Sequence, residues 1–151
     1  MAKYQITHSC GHTETHGIGG TNTRGQRESK AAWLATRVCG ECYRAERDAA
    51  RATKSAESAS ANAVGGMPTL TGTPKQIAWA ETLRAEVAAK LLPLRAQIAE
   101  RADGNPRVAR AMVAAIDGVM AHTDAKWWID QRNVTYNRAW IQAQIADIAT
   151  E

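Results

Sequence analysis

Apolar and polar positions change rhythm twice along the 151-residue chain. Lys3, Tyr4, Gln5, Ile6 and Thr7 alternate in polarity, which predicts a short strand. A turn at Cys10-Gly11 would let residues 13–17 return as a second strand, making a small hairpin. Gly17, Ile18, Gly19 and Gly20 follow as a loop. With no Gly-Lys-Ser/Thr after it and no buried strand before it, this loop is not a phosphate cradle. From Thr23 the rhythm becomes helical. Thr23 and Gln26 have capping-box spacing, so a helix is expected over about 24–37 with Trp33 and Leu34 turned inward. A second helix, about 41–61, contains no Pro or Gly and almost no large apolar side chain.

The pattern then breaks into small residues (Ser55, Ala56, Ser58, Ala59, Ser60, Ala61) and into Gly65-Gly66-Met67-Pro68. Such a stretch predicts a boundary. It divides a module at 1–62 from a linker at 63–73 and a helical module at 74–151. The second module opens on Thr73, Pro74 and Gln76, a capping box with Pro at the first helical position. Ile77, Trp79, Leu83, Val87, Leu91 and Leu94 follow at spacings near three and four, and Pro93 is expected to kink or end that helix. A turn at Asp103-Gly104-Asn105-Pro106 precedes a helix to about His122, burying Val108, Met112, Ile116, Val119 and Met120. A short helix carries Trp127 and Trp128, with Asn133 as a corner. The last helix, about 135–149, presents Tyr136, Trp140, Ile141, Ile145 and Ile148.

Composition supports the helical emphasis. Phe is absent, and Ala supplies much of the apolar content, which favours helix over sheet. The core must therefore lean on Leu, Ile, Val, Met and Trp, and Trp79, Trp127, Trp128 and Trp140 are expected to supply most of the core volume of the helical module. The expected class is mainly α: a small N-terminal zinc-ribbon-like hairpin and helix module, then a helical bundle. The net charge of +4 suits a nucleic-acid partner without requiring one. No apolar run approaches the length of a membrane span. The opening residues lack the apolar segment of a secretory signal, so a cytoplasmic setting is expected.

Cysteine usage changes the picture most. Cys39-Gly40-Glu41-Cys42 is a Cys-x-x-Cys knuckle, and Cys10 is the remaining cysteine. An odd count speaks against a disulfide framework. Structural zinc takes four thiolate or imidazole ligands in a tetrahedron, and two cysteines on one tight turn supply half of them. Cys10 supplies a third. His8 is the first choice for the fourth, as the leading arm of the first knuckle; His12 comes next, then His16. The His8-x-Cys10 spacing is tighter than the usual two-to-four-residue gap. Zinc is the cofactor that this donor set implies, and metal binding would supply folding free energy that so small a module lacks.

Two surfaces offer partner sites. Arg44, Arg47, Arg51 and Lys54 recur at helical spacing as a basic stripe suited to phosphates, with Arg24, Arg27 and Lys30 as additions. Adjacent Trp127 and Trp128 point about 100° apart on a helix, so one of them is a candidate anchor for a protein partner.

Lys75-Gln76-Ile77-Ala78-Trp79-Ala80-Glu81 and Ala125-Lys126-Trp127-Trp128-Ile129-Asp130-Gln131-Arg132, together with Cys10-Gly11-His12 and Cys39-Gly40-Glu41-Cys42-Tyr43-Arg44-Ala45-Glu46-Arg47, resemble a group of small, uncharacterised proteins of bacteria, phages and mobile elements. The resemblance implies a metal-binding N-terminal module and a helical tail, and no reaction. In that group the first half-site carries a cysteine where this chain has His8. The function expected is a non-enzymatic zinc protein that binds nucleic acid or regulates. The alternative is a phage-type inhibitor or adaptor that binds a host protein through its helical module. Self-association of the long alanine-rich helix would need large apolar positions that it lacks. Among motifs that would mark an enzyme, neither His-Glu-x-x-His nor the deaminase His-x-Glu with Pro-Cys-x-x-Cys is present.

Overall fold

The structure is a computed structural model that describes residues 1–100 and 105–146. It is mainly helical, with an antiparallel hairpin at the N-terminus. The expected turn residues Asp103 and Gly104, and the end of the last helix with Ile148, lie outside the described residues. The chain forms two compact units, Met1–Arg51 and Ala52–Glu151.

In the first unit, β1 (Ala2–Thr7) pairs with β2 (Thr13–Ile18) in the register Ile6↔Glu14 and Tyr4↔His16. Alternation puts Tyr4, Ile6, Glu14, His16 and Ile18 on one face, and Ile6 and Ile18 are buried there. Helix α1 (Gln26–Ala35) starts later than the capping box suggested. Gly25 occupies the N-cap in the left-handed region, where a side chain is disfavoured. Asn22 Oδ1, rather than Thr23, accepts from the helix through the N–H of Arg27, and Gln26 accepts from the N–H of Arg24. Trp33 is half exposed instead of turned inward, and α1 has no fully buried residue. Tyr4 donates to Glu28 at 3.0 Å, which ties α1 to the hairpin. The apolar core of this unit is reduced to Ile6, Ile18 and Cys39. Such a unit needs another source of stability.

Helix α2 (Gly40–Val64) begins in the first unit and ends in the second. Every residue from Tyr43 to Lys54 is exposed. In the second unit its end is fixed by polar groups. Asn62 is buried and donates to the carboxylate of Glu81 at 2.6 Å and to the Glu81 carbonyl at 3.0 Å. Ser55 donates to the Ala78 carbonyl, and Lys54 pairs with Glu86. The division between units thus falls within α2, ahead of the 63–73 linker that composition suggested.

Helix α3 (Pro74–Glu100) has the expected capping box: Gln76 N–H donates to Thr73 Oγ1, and Thr73 N–H to Gln76 Oε1. It continues past Pro93. Its buried line is Ala80, Arg84, Ala88 and Leu91, with Ile77, Val87 and Leu94 packed beside it. Trp79 is 49% exposed, so it is not a core tryptophan. Arg84 donates to both carboxylate oxygens of Glu81 and to the Pro68 carbonyl. Helix α4 (Pro106–Met120) is capped by Asn105, whose side chain accepts from Arg107 and Val108; it buries Met112, Ile116, Val119 and Met120. Helix α5 (Ala125–Asp130) is capped by Asp124 and followed by a 3-10 turn at Gln131–Asn133. Helix α6 (Arg138–Gln144) is capped by Asn137 and buries Ile141. Helices α4 and α5 pack on α3, and α6 on α4. No helix among the described residues is long and apolar enough to cross a membrane.

Candidate metal centre

Cys39 and Cys42 stand at the junction of the α1–α2 connection and the first turn of α2. Starting a helix at Gly40 points the Cys42 N–H back at Cys39 Sγ, at 3.4 Å. The other half of the site is the hairpin turn. The Gly11 N–H donates to the His8 carbonyl and the His8 N–H to the His12 carbonyl, both at 2.9 Å. Gly11 takes φ 82°, a conformation costly for any side chain, and this closes the turn. The turn brings Cys10 Sγ to the N–H of Cys39, at 3.3 Å. His12 Nδ1 lies 3.2 Å from Cys42 Sγ and 3.6 Å from Cys39 Sγ.

Cys10, His12, Cys39 and Cys42 therefore converge, with one ligand atom from each lying within 4.8 Å of all the others. All three cysteines are free thiols. A tetrahedral ion with zinc-length bonds, about 2.3 Å to sulfur and 2.0–2.1 Å to nitrogen, places its donors roughly 3.3–3.8 Å apart. The separations here are compatible with that geometry, and the donor set fits a soft or borderline divalent metal.

Electrostatics point the same way. The backbone N–H of Cys39, then that of His12, pulls the Cys10 thiol down to about 6. Cys42 is pushed up to about 12, first by its hydrogen bond with the Cys39 sulfur, then by desolvation and by the Cys10 sulfur. Thiols packed this closely cannot all ionise without a cation. A divalent ion among them removes that conflict.

His8, the first choice for the fourth ligand, is placed elsewhere. It continues the inward face of β1 after Tyr4 and Ile6 and is buried. Its Nδ1 lies 3.1 Å from the Arg37 carbonyl and its Nε2 lies 2.9 Å from His16 Nε2. His16, the third choice, is therefore beside His8 and Glu14, not beside the sulfurs. His12 is brought to the thiolates because it sits across the turn, where the chain reverses.

The basic stripe is only partly intact. Arg44, Arg47 and Arg51 are exposed in the first unit, with Asp48 3.8 Å from Arg51. Lys54 belongs to the second unit and pairs with Glu86 at 2.8 Å. Among the additions, Arg24 is exposed, Arg27 donates to the Gly20 carbonyl, and Lys30 lies over the Trp33 ring at 4.1 Å from its centroid. Arg37 lies over the same ring at 5.6 Å. Arg47 lies 6.0 Å from the centroid of Tyr43, and Tyr43 and Trp33 are 55% and 51% exposed. These cation-flanked aromatics are hidden in the sequence by the expectation that Trp33 is core.

The tryptophan pair does not form an exposed anchor. Trp128 is 1% exposed and donates through Nε1 to the His122 carbonyl. Trp127 is half-buried, with the His122 ring stacked on it at 3.7 Å.

Compared with known protein families, curated proteins and solved structures, the chain matches none.

Proposed function

We propose that this chain is a non-enzymatic zinc protein that binds nucleic acid through residues of its first unit. The observation that carries the metal half is the convergence of Cys10, His12, Cys39 and Cys42. Four protein donors complete a tetrahedron, which is the pattern of structural rather than catalytic zinc. The ion would staple the hairpin turn to the start of α2, in a zinc-ribbon-like arrangement whose apolar core is too small to stand alone.

Charge and aromatic exposure support the nucleic-acid half. Residues 1–51 hold eight Lys or Arg against five Asp or Glu. Exposed Trp33 and Tyr43 are flanked by Lys30, Arg37 and Arg47. Aromatic faces accept unpaired bases and cations accept phosphates, so single-stranded nucleic acid is the best match. The alternative, a protein inhibitor anchored on Trp127 and Trp128, loses support because Trp128 is buried and the His122 ring stacks on half-buried Trp127.

The test is a fluorescence-anisotropy titration of zinc-loaded protein with a labelled single-stranded oligonucleotide at several salt concentrations. Affinity should fall steeply with salt and weaken in the Arg44→Ala, Arg47→Ala double variant. Binding that is absent, or insensitive to salt and to both arginines, would overturn the reading.

A further inference from the structure

We propose that His8, Glu14 and His16 form a second divalent-metal site, separate from the thiolate centre, which binds a first-row transition cation through two imidazoles and one carboxylate. Glu14 and His16 are two apart on β2 and so share a face. His8 extends β1 on the same face and meets them across the hairpin.

Three observations carry the assignment. The donor atoms form a small triangle: His8 Nε2 to His16 Nε2 is 2.9 Å, His16 Nε2 to Glu14 Oε2 is 3.4 Å, and His8 Nε2 to Glu14 Oε2 is 3.6 Å. A tetrahedral ion with nitrogen and oxygen bonds of about 2.0–2.2 Å needs edges of roughly 3.3–3.6 Å. The two edges to Glu14 fall within that range, and the His8–His16 edge is a few tenths of an ångström shorter.

The second observation is the orientation of His8. Its Nδ1 faces the Arg37 carbonyl, which can only accept, so Nδ1 carries the proton and the Nε2 lone pair points at the triangle. An imidazole held by a backbone carbonyl in this way is the usual support of a metal-ligating histidine. The Arg37 carbonyl also accepts from the Ser9 N–H, which fixes its position.

The third is the gradient of burial. The His8 side chain is 2% exposed, whereas His16 and Glu14 are 28% and 39% exposed. The triad is anchored on the inside and open to solvent on the outside. Three protein donors leave a coordination position for water, unlike the four-donor thiolate centre. The cation held here should therefore exchange more readily, and imidazole and carboxylate donors suit zinc, cobalt, nickel or iron(II) better than calcium or magnesium.

The experiment loads the full chain with one equivalent of zinc, removes the excess, and titrates in cobalt(II) chloride, following absorption and equilibrium dialysis. One further cobalt per chain is expected, without sulfur-to-metal charge transfer. His16→Ala and Glu14→Gln should each abolish it while retaining the first zinc and the far-ultraviolet circular dichroism. No further cobalt, or a further cobalt that both variants keep, would overturn the second site and leave the thiolate centre untouched. Should the first zinc fail to bind, cobalt titrated alone decides the matter. One equivalent without thiolate absorption, lost in both variants, supports the triad even as the thiolate reading fails.

Discussion

His12 Nδ1 lies 3.2 Å from Cys42 Sγ although thirty residues separate them in the chain. The zinc held by the thiolate centre should therefore follow His12 and not His8. At that centre, purified His12→Ala should bind zinc at least about tenfold more weakly, ~1.4 kcal/mol, and Cys39→Ser should lose the thiolate-bound ion. Competition with a chromophoric chelator measures both. An His8 variant that loses the thiolate-bound ion while His12→Ala keeps it would reverse the assignment.

Zinc binding should release protons unevenly from the three thiols. Near neutral pH, Cys10 is already ionised because its pKa lies at about 6, so it gives up little. Cys42, held near 12, is protonated and must lose its proton as the ion binds. Apparent affinity should consequently fall as pH is lowered. Calorimetry in buffers of differing ionisation heat counts the protons. A release of three would contradict the low Cys10 value.

If Trp33 stacks on bases, Trp33→Ala should cost oligonucleotide affinity about 1–3 kcal/mol. Removing Arg44 and Arg47 should reduce the slope of log K against log salt by about 0.7 for each phosphate that they no longer neutralise. Lys54→Ala serves as the contrast. With its ammonium paired to Glu86, it should change affinity little.

The buried Arg84–Glu81 pair should be costly to break from one side. Glu81→Ala leaves the guanidinium of Arg84 and the amide of Asn62 without their carboxylate, a loss of roughly 3–5 kcal/mol. Arg84→Met combined with Glu81→Leu should recover part of it. Urea denaturation of the single and double variants measures the difference.

Trp128→Ala should cost about 3–5 kcal/mol by leaving a cavity in the helical core. Trp79→Ala, at a half-exposed position, should cost far less. Equal effects on thermal unfolding would mean that the two rings are buried alike.

The order of these elements is largely legible in the sequence. Alternation reveals the hairpin, and the Cys39–Cys42 spacing with Cys10 marks the candidate metal centre. Order along the chain, however, points to the wrong fourth ligand. Period-two alternation carries a sharper signal: His8 is two residues after Ile6, so it must share that buried face, while His12 lies beyond the Gly11 reversal. The small residues at 55–61 misplace the unit boundary. A Ser/Ala run looks the same in a linker as in a helix held by its backbone-directed hydroxyls, and Ser55 is of the second kind. Spacing alone groups Trp79 with Ile77, although residues two apart on a helix point about 200° apart. The line of Ala80, Arg84, Ala88 and Leu91 shows the true inner face. Nothing in composition announces a buried Arg84: Glu81 precedes it by three residues on α3, but the Pro68 carbonyl and the Asn62 amide that complete the cluster come from other segments.

The exposed middle of α2, from Tyr43 to Lys54, has a consequence for how the chain ages in solution. With no buried side chain along it, that stretch gains little from apolar packing, the source of most helical stability in proteins. Its amides should exchange with deuterium well before those of Ala80 or Ile116. Arg47 and Arg51 would then be early targets for trypsin. A nick there would leave the cysteine knuckle on one fragment and Asn62, with the helices it helps to fix, on the other.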